Sequence, residues 1–154
     1  MGEIKLTDQF NCGPSPNTFA YIVFKRNTRT DNFEGYSLTK SATSFGFAAS
    51  ASDGTQDGPD APIAPVVGQW YHLVGTFKRP ILSLYINGAL AGTAVHDYDL
   101  DYGTRPVFIG RTGECGGPGE ADWDSYFPGT IDDVRIYNRV LSAGEVKQLY
   151  LAGK

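Results

Sequence analysis

Residues 69–95 read QWYHLVGTFKRPILSLYINGALAGTAV and predict three consecutive β-strands. Lys78-Arg79-Pro80 separates the first strand from the second, and Asn87-Gly88 separates the second from the third. Asn-Gly is typical of a two-residue hairpin turn because both residues tolerate positive φ. A meander of three strands cannot bury its own apolar face, so this stretch predicts a second sheet packed against it.

The composition of the whole chain is also typical of an all-β domain. The chain has 154 residues, with 19 Gly, 9 Pro, 13% aromatic and 19% charged residues, which suits one core with many turns. The net charge of −4 and the lack of a basic stripe argue against nucleic acid as a partner. No apolar run reaches the roughly 20 residues of a membrane helix, so we expect no membrane insertion.

Further strands are predicted on both sides of the meander, separated by loops rich in Gly, Pro and polar residues. They are Ile4–Thr7, Thr18–Lys25, Gly35–Lys40, Ser44–Ala49, Pro106–Gly110 and Gly129–Tyr137. Two long loops, Ser50–Pro65 and Arg111–Phe127, lie between them. We therefore expect an all-β fold, a two-sheet antiparallel sandwich, built by residues 1–154 as a single domain.

One short helix is predicted near the C-terminus. Ser142-Ala143-Gly144-Glu145 has the pattern of a capping box, in which the Ser and Glu side chains each accept the other residue's amide. Leu141 and Val146 are spaced as a hydrophobic staple, and Gly153 is expected to end the helix. We expect this helix to pack over one end of the sandwich.

Four blocks of sequence resemble the laminin-G-like domain of the concanavalin A-like lectin/glucanase superfamily. In chain order over Gln69–Tyr150 they are WYHLVGTF, LSLYINGALAG, PVFIGR and FPGTIDDVRIYNRVLSAGEVKQLY. The resemblance implies that the sandwich is a jelly roll. Two features depart from the family's pattern: EIKLTDQFNCGPSP replaces the usual opening strands, and Lys78-Arg79-Pro80 replaces an Asp-Gly turn. We therefore expect a domain that lacks its usual opening strand.

A missing opening strand would leave an open sheet edge, and such an edge can pair with another chain. We expect the loop around Cys12 or a neighbouring protomer to cover it, and the oligomeric state stays open. Cys12 and Cys115 lie in Gly- and Pro-rich loops, and they form either one disulfide or two unpaired thiols. The chain shows no signal peptide, so it is cytosolic or part of a longer secreted protein; the resemblance favours an extracellular or cell-surface location.

Aromatic residues beside acids are candidates for binding carbohydrate, because a ring can face the apolar side of a sugar while carboxylates take its hydroxyls. Two groups have this pattern. The first comprises Trp123, Tyr126, Asp122 and Asp124, and the second comprises Tyr98 and Tyr102 among Asp97, Asp99 and Asp101. The alternative for Trp123 is a loop aromatic that packs on the edge of the sandwich. Trp70 lies in the meander and is expected in the core.

The last strand contains the candidate metal ligand, Asp132. Strand alternation places Asp132 on the face of Val134 and Ile136, so we expect its carboxylate to point inward and to need partners. Those partners are hydrogen-bond donors or Ca²⁺, and the resemblance implies Ca²⁺ in some members of the family. Calcium takes six to eight oxygens, which Asp132 and Asp133 cannot supply alone. Asp133 is expected to be a solvated surface acid.

Catalysis has one candidate pattern, Glu120-Ala121-Asp122-Trp123-Asp124. It nearly matches the Glu-x-Asp-x-Glu signature of laminarinase-type glycoside hydrolases, but its third acid is shorter and it lies in a loop. His72 falls in a core strand and His96 in a loop, so no Ser/His/Asp triad is expected. The polar residues of the loop 25–31 suit either an acidic sugar or, more simply, solvent.

These patterns lead to one expectation and two alternatives. We expect a non-catalytic binding module, for carbohydrate, from a larger secreted or cell-surface protein. The first alternative is an adhesion or spacer module that contacts an extracellular protein. The second is a glycoside hydrolase or polysaccharide lyase on the same fold. One fold hosts many functions, so the resemblance alone does not choose among them.

Overall fold

The computed structural model describes residues 2–6, 20–26, 35–51, 53–100, 104, 106–111 and 127–153 of the chain. Within these residues it contains eleven strands and one helix. In chain order they are β1 Gly2–Leu6, β2 Ala20–Arg26, β3 Gly35–Lys40, β4 Phe45–Ser50, β5 Gln56–Asp57, β6 Asp60–Ala61, β7 Trp70–Lys78, β8 Ile81–Ile86, β9 Ala89–Val95, β10 Phe108–Ile109, β11 Gly129–Asp132 and α1 Ala143–Ala152. No helix in these ranges is long and apolar enough to span a membrane.

The strands form two antiparallel sheets. The first sheet has the order β11-β1-β7-β8-β9, and the second has the order β10-β2-β3-β4-β5, with β6 also paired to β4. The predicted all-β sandwich with one short C-terminal helix is therefore confirmed. The strands β5 and β6 fall in the stretch Ser50–Pro65, which the sequence predicted to be a loop. The prediction missed them because a strand of two residues is too short to show an alternating pattern.

The core lies between the facing sides of the two sheets. Phe45 and Phe47 come from the second sheet, while Leu73, Leu82 and Leu84 come from the first, and all five are buried. A Cβ added at Gly75 of β7 would overlap the ring of Phe47, so this glycine lets the two sheets approach closely.

The predicted meander is confirmed as β7, β8 and β9. Asn87 and Gly88 have φ values of 52° and 78°, as a type I′ turn requires. The prediction that Trp70 lies in the core is wrong, because its side chain is 41% exposed. Along β7, Tyr71 and Leu73 point into the core, so alternation sends Trp70 to the opposite face.

The helix α1 begins with the predicted capping box. The Ser142 hydroxyl accepts the Glu145 amide, and a Glu145 carboxylate oxygen accepts the Ser142 amide at 2.8 Å. A hydrogen bond from Arg139, followed by that of the Ser142 amide, lowers the pKa of Glu145 to about 2. Leu141 and Val146 are buried against Val74. The helix therefore packs on the outer face of the first sheet, and not over one end of the sandwich as predicted.

The first and last strands differ from their predicted bounds. The strand β11 ends at Asp132, whereas the sequence predicted a strand up to Tyr137. Asp133 has a φ of 50°, a left-handed conformation that breaks the extended run. The strand β1 lies between β11 and β7, so residues 2–6 take an inner position in the first sheet.

Candidate functional site

The outer face of the second sheet carries a hollow of about 250 Å³, which we call the polar hollow. Leu38 of β3 and Phe47 of β4 face the core, so the residues that alternate with them face outward. These outward residues are small or polar: Ser37 and Thr39 from β3, with Gly46 and Ala48 from β4. The other residues that line the hollow are Tyr21, Gln56, Asp57, Gly58, Pro59 and Asp60, together with part of Phe47.

Several polar side chains line this hollow. Ser37 is 1% exposed, and its hydroxyl has no hydrogen-bond partner within the described part of the chain. The Thr39 hydroxyl donates a long hydrogen bond, 3.4 Å, to the carbonyl of Gly46. A Cβ built on Gly46 would lie 2.5 Å from Asp60 Oδ1 and 2.8 Å from Thr39 Oγ1. The glycine therefore keeps open a space that two oxygens already face.

The wall of the hollow is held by a buried histidine. His96 is fully buried, and its Nδ1 lies 2.8 Å from Asp57 Oδ2. The imidazole also packs edge-on against Phe77 and Tyr98, at ring distances of 5.7 and 5.4 Å. Asp57 belongs to β5 and lines the hollow, while His96 directly follows β9. The contact between these two side chains therefore holds β5 against the segment after β9.

The second predicted sugar-binding group is only partly described. Tyr98 is 45% exposed and contacts His96. The acids on either side of it bind Arg79, whose Nε lies 2.8 Å from Asp97 Oδ1 and whose Nη1 lies 2.8 Å from Asp99 Oδ1. The hydrogen bond that Arg79 donates to the Asp97 carboxylate, together with the charge of Asp99, raises the pKa of Arg79. These carboxylates therefore serve an ion-pair cluster that closes the β7–β8 turn against the segment after β9.

Most of the other predicted site residues lie outside the described part of the chain. They are Trp123, Tyr126, Asp122, Asp124 and Tyr102 of the predicted sugar sites, Glu120 of the near-match to a hydrolase motif, and the disulfide candidates Cys12 and Cys115. Of the polar loop 25–31, only Lys25 and the backbone of residue 26 are described. The roles predicted for these residues stay predictions.

Asp132 does not point inward, so that part of its prediction is wrong. Its side chain is exposed, while Ile131 and Val134 pack against the core. The left-handed Asp133 shifts the alternation by one residue, and Asp132 Oδ1 accepts the Asp133 amide at 2.8 Å. Asp133 is exposed, as predicted, and bonds Arg135. Among the described residues no group of three or more His, Cys, Asp or Glu side chains could hold a metal, so Asp132 belongs to no such group there.

The polar hollow itself was missed at the sequence level, although part of its signal was present. GYSLTK and FGFAAS alternate large apolar residues with small or hydroxyl-bearing ones, which marks one face of each strand as polar and open. The position of Asp60 could not be predicted from the sequence, since β6 has only two residues and pairs with Phe45 and Gly46 at the start of β4.

The two antiparallel sheets, packed face to face with a polar hollow on one outer face, define a concanavalin A-like sandwich. The chain belongs to the Laminin_G_3 family, described as the concanavalin A-like lectin/glucanases superfamily, which matches residues 10–147. The predicted family resemblance is thereby confirmed. No curated protein matches the sequence significantly.

Solved structures with a similar fold come from several kinds of protein. The native heptameric SAP-like pentraxin from Limulus polyphemus is 20% identical with a TM-score of 0.65, over 97% of this chain and 67% of its own. The Ruminococcus gnavus IT-sialidase CBM40 is 20% identical with a TM-score of 0.64, over 97% of this chain and 79% of its own. The Botulinum Neurotoxin Type G Receptor Binding Domain is 14% identical with a TM-score of 0.68, over 99% of this chain but only 37% of its own. At these identities the likeness concerns the fold.

Proposed function

We propose that this protein is a non-catalytic binding module whose polar hollow binds one sugar unit of a glycan. The observation that carries the proposal is the pair of oxygens around the bare backbone of Gly46, where Asp60 Oδ1 and Thr39 Oγ1 lie 2.5 and 2.8 Å from the position of an added Cβ. Hydroxyls of a ligand in the hollow can donate to the Asp60 carboxylate and share a hydrogen bond with the Thr39 hydroxyl, the two groups that face this space.

The chemistry of the lining suits a sugar better than an apolar ligand. Hydroxyl, amide and carboxylate groups surround the hollow, and together they can donate and accept hydrogen bonds in several directions. Pockets for drug-sized ligands measure roughly 300–1,000 Å³, so a hollow of about 250 Å³ suits a single ring. The similar fold of the Ruminococcus gnavus IT-sialidase CBM40 supports this proposal by analogy.

A glycan array with matched variants tests the proposal. Asp60→Asn removes one of the two carboxylate charges that line the hollow, while Asp133→Asn removes a surface charge elsewhere and keeps a residue that tolerates positive φ. We expect Asp60→Asn to weaken binding about tenfold or more, the usual cost of a charge-assisted hydrogen bond, and Asp133→Asn to bind like the wild type. Equal binding by both variants, with loss in Trp123→Ala, would place the site on the loop instead.

Three further arms address the remaining expectations. Repeating the array with EDTA tests whether Ca²⁺ takes part, and a loss of binding would require ligands beyond the described residues. Reducing-sugar release from β-glucans tests for catalysis, and release that disappears in Glu120→Gln would overturn the non-catalytic role.

We also propose an extracellular or cell-surface location. A disulfide-linked Cys12–Cys115 peptide, found by mass spectrometry of the natural protein, would support that location.

A further inference from the structure

The charge of the polar hollow indicates more about its ligand than its size does. The described lining contains two carboxylates, Asp57 and Asp60, and no Lys or Arg. These two acids lie at the two ends of a short segment that follows β4, since Asp57 ends β5 and Asp60 begins β6. The pairing of this segment with β4 decides which of the two acids faces a ligand.

The pairing directs the two acids to different faces of the second sheet. Residues that pair directly across neighbouring strands place their side chains on the same face. Asp57 pairs with Ala49, which is buried in the core, and its Oδ2 lies 2.8 Å from Nδ1 of the buried His96. Asp60 pairs with Gly46, which faces outward, so its carboxylate lies over the hollow. The charge that faces a ligand most directly is therefore that of Asp60.

The fold holds Asp60 in place without neutralising it. The Phe47 amide donates to the Pro59 carbonyl at 3.1 Å, and a Cβ on Gly58 would overlap the Phe47 carbonyl, so this segment lies tightly on β4. Within the described part of the chain, no cation lies within ion-pair distance of the Asp60 carboxylate. A carboxylate that is fixed in position and lacks a cation favours a ligand with a positive charge.

The other groups of the hollow indicate which cation fits. A calcium ion takes six to eight oxygens, and the described residues contain no cluster of three or more metal-ligating side chains. The alkyl stem of a lysine side chain forms no hydrogen bonds with the hydroxyl, amide and carboxylate groups of the lining. An amino sugar has both an ammonium group for Asp60 and hydroxyls for polar groups such as that of Thr39.

We propose that the polar hollow selects an amino sugar with a free, protonated amine, which pairs with the Asp60 carboxylate. This inference rests on the proposed function, because it requires that the hollow binds a sugar. The ammonium group donates to Asp60, while ring hydroxyls share hydrogen bonds with Thr39. An N-acetyl sugar lacks the charge, and a sugar that carries a carboxylate is repelled by the acids of the lining.

Three tetrasaccharides with a common backbone test this selection. Chitosan tetraose, chitin tetraose and cellotetraose are β-1,4-linked chains that differ only at C2, which carries an amine, an acetamide or a hydroxyl. We expect calorimetric titration at pH 6.5, where such an amine is protonated, to show about five- to tenfold tighter binding of chitosan tetraose. Adding about 1 M NaCl should reduce this preference, because salt screens the charges.

The outcomes of the titrations distinguish this inference from the proposed function. If chitosan tetraose binds no tighter than the other two, the selection of an amine is wrong while sugar binding stands. If none of the three binds but other glycans on the array do, the same conclusion follows. If no glycan binds at all, the proposed function and this inference both fail.

Two variants with the same change in charge locate the selection. Asp60→Asn removes the unpaired carboxylate, while Asp53→Asn removes an exposed carboxylate outside the lining and keeps an oxygen that accepts the Thr55 amide. We expect Asp60→Asn to lose the preference for chitosan tetraose and Asp53→Asn to keep it. A preference that survives in Asp60→Asn would overturn the proposal.

A third variant and a peptide separate recognition of the sugar from recognition of charge. Thr39→Val removes the hydroxyl beside Asp60, and we expect it to weaken all three tetrasaccharides by a similar factor. Unchanged binding in Thr39→Val would place the sugar site elsewhere and contradict the proposed function itself. Tetralysine has ammonium groups without a sugar ring, and we expect it to bind more weakly than chitosan tetraose. Equally tight binding of tetralysine would assign the hollow to a basic peptide and overturn the proposal.

Discussion

His72 is the residue whose burial makes the clearest prediction about pH. It is 4% exposed, and neither ring nitrogen has a hydrogen-bond partner among the residues that the structure describes. Its ring lies 5.8 Å from that of Tyr150 in the helix α1. Burial lowers the pKa of His72 below its ordinary value of 6.5, so the folded protein holds this side chain neutral where the unfolded chain would take up a proton.

We therefore expect His72 to make the protein less stable as the pH falls below about 6.5. The unfolded state binds more protons in this range, so the free energy of unfolding decreases with falling pH, by at most about 2 kcal/mol down to pH 5 for one proton. In His72→Leu this loss should be smaller, and stability at pH 7.5 should change by no more than about 1 kcal/mol. Urea unfolding of both proteins at pH 7.5 and pH 5 measures the difference. An equal loss in both proteins would contradict the prediction.

Single residues also show where sequence patterns reach their limit. The meander predicted correctly that His72 is buried, but it placed Trp70 in the core as well. Both side chains leave β7 on the same face, and only the position of α1 distinguishes them: the helix covers His72 and leaves Trp70 41% exposed. That position depends on the contact of Leu141 and Val146 with Val74, which is remote in sequence.

The hairpin turn of β8 and β9 contributes to helix docking as well as to strand pairing. Gly88 has a φ of 78°, and a Cβ there would lie 2.9 Å from Tyr150 Cδ1. Gly68 is a matched control, because its φ is 82° and a Cβ there would meet nothing within 4 Å. Alanine substitutions at the two glycines therefore separate the energetic cost of the positive φ from the cost of contact with Tyr150 in α1.

We expect Gly68→Ala to cost about 1 kcal/mol from the unfavourable φ alone. Gly88→Ala should cost about 2 kcal/mol, since Tyr150 must also move. Chemical denaturation of both variants measures the two values. Equal costs would mean that Tyr150 adapts freely and that the turn does not help to hold α1.

At the scale of elements, local patterns were sufficient where the signal is local. The Asn-Gly turn and the capping box depend on residues within four positions of one another, and both are present as predicted. The end of β11 was not predictable in this way. The sequence GTIDDVRIY continues to alternate after Asp132, but the left-handed Asp133 ends the strand there.

The approach of the two sheets at Gly75 is a property of the whole molecule. Gly75→Ala would place a methyl group against the Phe47 ring and should cost about 1–3 kcal/mol by overpacking. Phe47→Leu alone should cost about 1 kcal/mol or more, because the core loses ring atoms. The free energy of unfolding that the double variant loses should be smaller than the sum of the two single losses by at least about 0.5 kcal/mol. The reason is that the smaller side chain at position 47 makes room for the methyl group. If urea unfolding shows that the two single losses simply add, the contact between Gly75 and Phe47 does not limit how closely the sheets approach.

The sequence by itself determined the all-β class, the meander, the hairpin turn, the capping box and the family, because each is written in the alternation or spacing of nearby residues. Only the tertiary structure decided where the polar hollow lies. The hollow requires β6 to bring Asp60 beside Gly46. This pairing depends on the register between separate strands, and that register is set by the burial of the whole core and not by any local pattern.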